Sequence, residues 1–207
     1  MPRAIERTVY KFAELSEAAK ETAREHERQT YQDFNWWDWC YEDAIIYAKC
    51  LGIELDAKNI SFSGFSSQGD GASFTGYYDF KADAVAAITA YAPDGALLKI
   101  AEELTALQTH ARLVHGAHIH ARITRSRNSH YVHSNTMDVE TVYVNTDNEA
   151  LATSEELDQA MTRLMRSFAD WIYKQLEDED DWLNSDECID ERLNESDDEF
   201  DEDGSVV

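Results

Sequence analysis

Six of the seven histidines, His110, His115, His118, His120, His130 and His133, fall within twenty-four residues, the densest set of potential ligands and bases in the sequence. His118 and His120 stand two apart, the spacing that puts both imidazoles on one face of a strand. Arg122 continues that face, and His130 is expected to reach it across a hairpin. Two or three imidazoles converging with Asp138 would meet the needs of zinc or non-haem iron. HxH alone is a weak signal, and no second ligand motif accompanies it. The plainer expectation is a polar strand face on which His and Arg side chains neutralise Asp138 and Glu140, with neither metal nor cofactor.

Other chemistries have less to stand on. SSQGDGAS at Ser66–Ser73 has the glycines and serines of an anion nest, but no P-loop lysine follows and no G-x-G-x-x-G opens a helix. Asp70 would repel a phosphate, so the stretch reads as a hairpin turn. There is no G-x-S-x-G. Cys40 and Cys50 lie on one predicted helix, about 15 Å apart at the helical rise, too far to pair. With Cys188 they make an odd count without a CxxC, the pattern of a reducing cytoplasm. Acidic residues crowd where solvation is expected, so no catalytic pair stands out. No catalytic residue is assigned, and binding is favoured over catalysis.

The elements that must hold these residues alternate in period. Ser16 caps a first helix, and Trp37, Tyr41, Ala44, Ile45, Ala48 and Leu51 give a second its apolar stripe before Gly52 stops it. Trp36 and Trp39 are extra to that stripe. Asn59–Phe80 alternates as two strands about Asp70. Two helices follow, one ending before Pro93 and one capped by Asp94. From about 111 to 144 the period returns to two, with a turn near Asn128 that would set His118 opposite Asp138 and His120 opposite Thr136. Thr153 and Glu156 form a capping box for a long helix carrying Leu157 through Leu176, and a short helix spans Ser185–Leu193. The sum is α+β: a largely antiparallel four-stranded sheet from two hairpins, about 59–80 and 111–144, packed with helices. One domain is expected over 1–193, with 194–207 an acidic tail too poor in apolar groups to order alone.

Net charge is −24, from 42 acids and 18 bases. Between Glu177 and Asp203 there are 16 acids and one base, Arg192; the preceding 176 residues hold 26 acids and 17 bases. Such a chain repels nucleic acid and anionic membranes and is drawn to basic protein surfaces. The N-terminus lacks an apolar signal core, and no run approaches a membrane span. Carboxylates on a surface can also imitate duplex DNA, which presents about one charge per 1.7 Å of axis.

VYKFAELSEAAKETARE at Val9–Glu25, WWDWCYEDA at Trp36–Ala44, SFSGFSSQGDGASFTG at Ser61–Gly76 and FADWIYKQLEDEDDWLNSDECIDERL at Phe168–Leu193 resemble a family of small proteins encoded by tailed bacteriophages. The similarity spans nearly the whole chain. It implies a phage gene expressed in a host bacterial cytoplasm and brings no catalytic residues; some members carry an antitoxin-like label.

The leading expectation is an accessory or counter-defence protein that binds a host protein with a basic, nucleic-acid-handling surface and inhibits it. Trp36 and Trp39 would supply contact energy, and Asp178, Glu179, Asp180, Asp181, Asp197, Asp198 and Glu199 long-range attraction. Deleting Asn194–Val207 would then weaken capture. Alternatives are sequestration of a small signalling nucleotide by His118, His120 and Arg122, an antitoxin neutralising a toxin, and a metal-dependent enzyme using the His-rich hairpin. A homo-oligomer is compatible with each.

Overall fold

The structure, a computed structural model, describes residues 6–30, 35–91, 93–126 and 131–207. In chain order they form α1 (Glu17–Thr30), α2 (Asp38–Leu51), β1 (Ile53–Glu54), β2 (Ile60–Phe62), β3 (Ala72–Phe74), β4 (Gly76–Tyr78), α3 (Ala84–Tyr91), α4 (Gly95–His110), β5 (His118–Arg125), β6 (Met137–Val144), α5 (Glu155–Leu183) and α6 (Asp186–Glu195). The fold is α+β, as expected, with a four-stranded antiparallel sheet and a long helix late in the chain. Where one domain over 1–193 was expected, the chain divides into two compact units, Trp37–Glu177 and a smaller one joining Met1–Trp36 to Asp178–Val207. Among the described residues no helix is long and apolar enough to cross a membrane.

In the larger unit, α2 buries Cys40, Tyr41, Ala44, Tyr47, Ala48 and Leu51; of the expected stripe Trp37 and Ile45 are only half-buried, and Cys40 and Tyr47 fill the face instead. Gly52 ends it at φ 85, and a Cβ there would stand 2.1 Å from the Asp79 carbonyl oxygen. Only glycine fits both demands. The sheet runs β1-β4-β5-β6, and β2 pairs β3 as a separate ribbon. The hairpin expected about Asp70 is thus present as β2–β3, but it stands apart from the four-stranded sheet, which takes β1 and β4 instead. Phe74 pairs with Ile60, and after Thr75 the chain changes partner, so that Tyr78 pairs with Ile53 on one side and Ala121 on the other. Alternation fixes which face a residue occupies, not which strand lies beside it.

The β5–β6 pairing carries the same lesson. His118 lies opposite Val144 and His120 opposite Val142, not Asp138 and Thr136. The slip from the expected register is six residues, an even number, so every side chain keeps its face. Ile119, Ile123 and Met137 point inward and are buried, while His118, His120 and Arg122 point outward. The connection is longer than a tight turn: Ser134–Thr136 makes a 3₁₀ turn capped by His133, and β6 starts only after it. Phe168 of α5 meets Phe74 of β3 edge-on at 5.5 Å, and Arg166 Nη2 of the same helix donates to the Met137 carbonyl at 3.0 Å.

In the smaller unit, Phe12, Leu15, Ala19, Ala23, Ile189, Leu193 and Phe200 form a buried cluster between α1 and α6. Phe200 lies inside the segment expected to be a structureless tail, and it is fully buried. Its N–H and carbonyl pair with those of Tyr10, both at 2.9 Å. Lys11 Nζ donates to the carbonyls of Asp197 and Asp198. Gly204, at φ 90, crosses the Ala19 carbonyl so closely that a Cβ would sit 1.9 Å from its oxygen. One buried aromatic and a backbone ladder thus offset the ordering entropy that composition alone makes prohibitive.

Candidate functional site

In the smaller unit Arg24, Arg28 and Arg192 are half-buried among carboxylates, and most of the acids are exposed. Arg24, only 12% exposed, forks onto Asp190 through Nε at 2.6 Å and Nη2 at 2.8 Å. Arg28 bonds Asp186, the Glu21 carboxylate at 3.2 Å and the Asn184 carbonyl at 3.3 Å. Arg192 bonds Glu27 at 3.1 Å and the Leu183 carbonyl at 3.1 Å. Arg7 pairs with Asp201, Lys20 with Glu17, and Lys11 holds the two backbone carbonyls named above. Every described lysine and arginine of this unit is therefore engaged within it.

The acids outnumber these partners. Residues 1–36 and 178–207 together hold 22 acids against 7 bases. Asp181, Glu187, Glu191, Glu195, Asp197, Asp198, Glu199, Glu202 and Asp203 are exposed. Glu187, Glu191 and Glu195 recur every fourth residue of α6, a line of carboxylates rising about 6 Å per step. Of the residues expected to attract a partner, Asp178 and Asp181 are exposed on the last turns of α5, Glu179 and Asp180 are half-buried, and Asp197, Asp198 and Glu199 lie on the pinned C-terminal segment. Both runs belong to this one unit. The α6 line was missed, although its spacing of four was readable.

Protonation of these groups follows their surroundings. Arg24's hydrogen bonds hold Asp190 below the ordinary carboxylate range, against partial burial that opposes them. Burial, and then Asp181, push Asp180 above it. A depressed carboxylate stabilises the fold above its unfolded value, near pH 4, and that contribution is lost as pH falls through the folded value. Asp180 acts in the opposite sense, favouring the fold while protonated. The expected result is a thermal midpoint that drops below about pH 4 and drops less steeply in Arg24→Gln, measured by calorimetry across an acid series.

In the larger unit, His118 and His120 are half-buried and Arg122 is exposed, on the outer face of β5. They are brought together, but with acids. His120 Nδ1 bonds the Asp79 carboxylate, and Arg122 stands 4.0 Å from Glu140. Asp138, the expected fourth ligand, lies opposite Thr124 instead. His130 is outside the described residues. Among the described residues, no three His, Cys, Asp or Glu side chains are placed to hold a metal ion. A cleft of about 390 Å³ lies beside His118, His120, Asp79 and Asn145. A wider one, about 660 Å³, runs along α5 past Ser134, Asp158, Arg163 and Arg166. Its polar groups serve the fold: Asp158 accepts the hydroxyls of Thr141 and Tyr143, and burial, then the Asp158 carboxylate, raise the Tyr143 phenol above its ordinary range.

The two tryptophans expected at an interface separate. Trp36 is half-buried, while Trp39 is 74% exposed on α2. Its neighbour Trp37 packs edge-on against Phe62 at 5.6 Å and starts an aromatic row that continues through Phe65 to Tyr173.

No curated protein and no solved structure matches the chain. The model of DUF8835, a domain of unknown function, matches residues 36–186, well over half of the chain, and the chain therefore belongs to that family.

Proposed function

We propose that this protein acts by binding, and that its partner is a protein whose basic surface handles nucleic acid. The observation that carries this reading is the charge arrangement of the smaller unit: its described cations are all engaged internally, and its 22 acids against 7 bases leave the exposed carboxylates of α6 and of 197–199 in excess. Carboxylates fixed on α6 and on a segment pinned by Phe200 present a shaped array, which a floppy tail does not. Such an array attracts a basic groove over distance and competes with the phosphates that groove was built for. In the setting that the sequence resemblance implies, the protein is a phage product in a bacterial cytoplasm, and the blocked partner belongs to the host's defence or nucleic-acid machinery.

Affinity capture from such a host, followed by binding measurements on the identified partner, tests this. Duplex DNA should displace the protein, and affinity should fall steadily as salt rises toward ~0.5 M. The triple variant Asp197→Asn, Asp198→Asn, Glu199→Gln should bind roughly 30-fold more weakly at low salt, at about threefold per surface charge. Its dependence on salt should also be flatter. A partner without a basic surface, or an affinity indifferent to salt, would overturn the reading.

The nucleotide-sequestering alternative gains less. Phosphates would have to displace Glu140 and Asp79 from Arg122 and His120, and the carboxylates would remain beside them.

A further inference from the structure

We infer that the outward face of α2 is a recognition point for an arginine side chain of a partner's basic segment, with Trp39 as the stacking platform and Glu42 and Asp43 as the guanidinium's acceptors. This rests on the reading above that the partner is basic, and adds where and by what chemistry one of its residues is held.

The inward face of α2 is fully used, from Cys40 through Leu51. Its outward face carries Trp39, Glu42, Asp43 and Ile46, at i, i+3, i+4 and i+7, and all four are exposed. These positions lie on one side of the helix. Trp39 leaves 74% of its surface in water and Ile46 37%. An indole so exposed forgoes burial worth more than that of any other side chain, and exposed tryptophans are favoured anchors at interfaces. Neither Glu42 nor Asp43 has an ion pair or hydrogen bond to a described cation: the nearest helical base, Lys49, lies six and seven residues on, beyond helical reach. The face therefore joins an aromatic plane to two free carboxylates.

Charge and shape together select the occupant. An apolar partner would bury Glu42 and Asp43 without compensation, which is costly. An anion is repelled. A lysine ammonium would satisfy the carboxylates but remains strongly hydrated and offers no plane to stack. A guanidinium is flat, weakly hydrated and forked, so it can lie on the indole while its N–H groups reach acceptors one turn away.

The test uses the full-length protein and two peptides of equal length, oligo-arginine and oligo-lysine, with affinities measured by calorimetry at low and moderate salt. The wild type should prefer oligo-arginine. Trp39→Ala should lose about five- to thirtyfold in affinity for oligo-arginine, abolish the preference, and leave the salt slope unchanged, because no charge is removed. Glu42→Gln with Asp43→Asn should weaken both peptides and flatten the slope, and Trp39→Phe should retain part of the preference. Trp39 is exposed, so unchanged thermal midpoints are expected and serve as the folding control. If the wild type binds both peptides equally, or Trp39→Ala keeps the preference, this inference falls while the acidic-surface reading stands. If neither peptide binds at all, both fall. A wild-type dimer that becomes a monomer in Trp39→Ala, seen by ultracentrifugation, would assign the face to a second copy of this chain and overturn the arginine assignment.

Discussion

Replacing Phe200 by alanine should free the C-terminal segment and destabilise the smaller unit by about 3–5 kcal/mol, the cost of emptying a buried phenylalanine site. The ring is fully buried, lies edge-on to Phe12 at 6.2 Å, and is enclosed by Leu15, Ala19, Ala23, Ile189 and Leu193. Few apolar groups hold this unit, so losing one of its two phenylalanines from the cluster is a large fraction of what is available. The paired N–H and carbonyl bonds between Tyr10 and Phe200 should go with it. Limited proteolysis should then cut within 194–207 in the variant and not in the wild type, and denaturant unfolding should begin earlier. The substitution removes no charge, which gives it a second use. If the carboxylates of 197–203 act only through long-range attraction, a captured partner should bind Phe200→Ala with little change. If they act as a fixed array, affinity should fall while the dependence on salt persists. Deleting Asn194–Val207 cannot separate these effects, since it removes a core side chain and seven acids together. A variant as stable and as protease-resistant as the wild type would mean that Phe200 does not hold the segment.

The sequence disclosed periodicity well and partnership poorly. The apolar stripes of α4 and α5 bury as spaced and that of α2 in part, Gly52 ends α2, and Asp94 caps α4 by accepting from the N–H groups of Ala96 and Leu97. Those signals are local, carried within a turn or two of helix. Strand pairing is not local. Asn59–Phe80 has the alternation of a hairpin, yet the backbone changes partner at Thr75, and nothing in the period of either half encodes that change. The His-rich strand kept its faces through a six-residue slip in register, so His118, His120 and Arg122 share a surface as expected while their neighbours differ. The acidic end shows the opposite failure. Averaged over fourteen residues its composition is that of a disordered chain, but a single phenylalanine, a lysine and a glycine in the right places order it. Trp39 was singled out for standing outside the stripe, and it is exposed for that reason. Glu187, Glu191 and Glu195 are hidden in the total charge of an acidic run, and only their spacing of four marks them as a line.

Gln108→Leu should be among the most damaging single substitutions in the larger unit, although leucine continues the apolar stripe of α4 and nearly matches glutamine in volume. Gln108 is 3% exposed, and its amide completes the sheet where β4 has ended. Nε2 donates to the Ile119 carbonyl at 2.6 Å, and Oε1 accepts the Ile119 N–H at 3.1 Å. β4 pairs with β5 from Ile123 to Ala121 only, so the side chain supplies the rung a further residue of β4 would have made. Leucine would leave both backbone groups buried and unpaired, at about 1–3 kcal/mol each, or roughly 2–6 kcal/mol together. The neighbouring Tyr78 hydroxyl, itself buried, accepts from Nε2 at 3.5 Å and would lose that partner as well. Gln108→Glu makes the argument testable without emptying the site. A protonated carboxyl can still accept from the Ile119 N–H and donate to its carbonyl, whereas a carboxylate can only accept and carries a desolvated charge. Its folded pKa would therefore lie above the unfolded value of about 4.3. The sign follows: this variant should approach wild-type stability below that pH and lose it as pH rises through the folded value. Denaturant midpoints of Gln108→Glu and the wild type that run parallel from acid to neutral pH would show that the amide is not the missing rung.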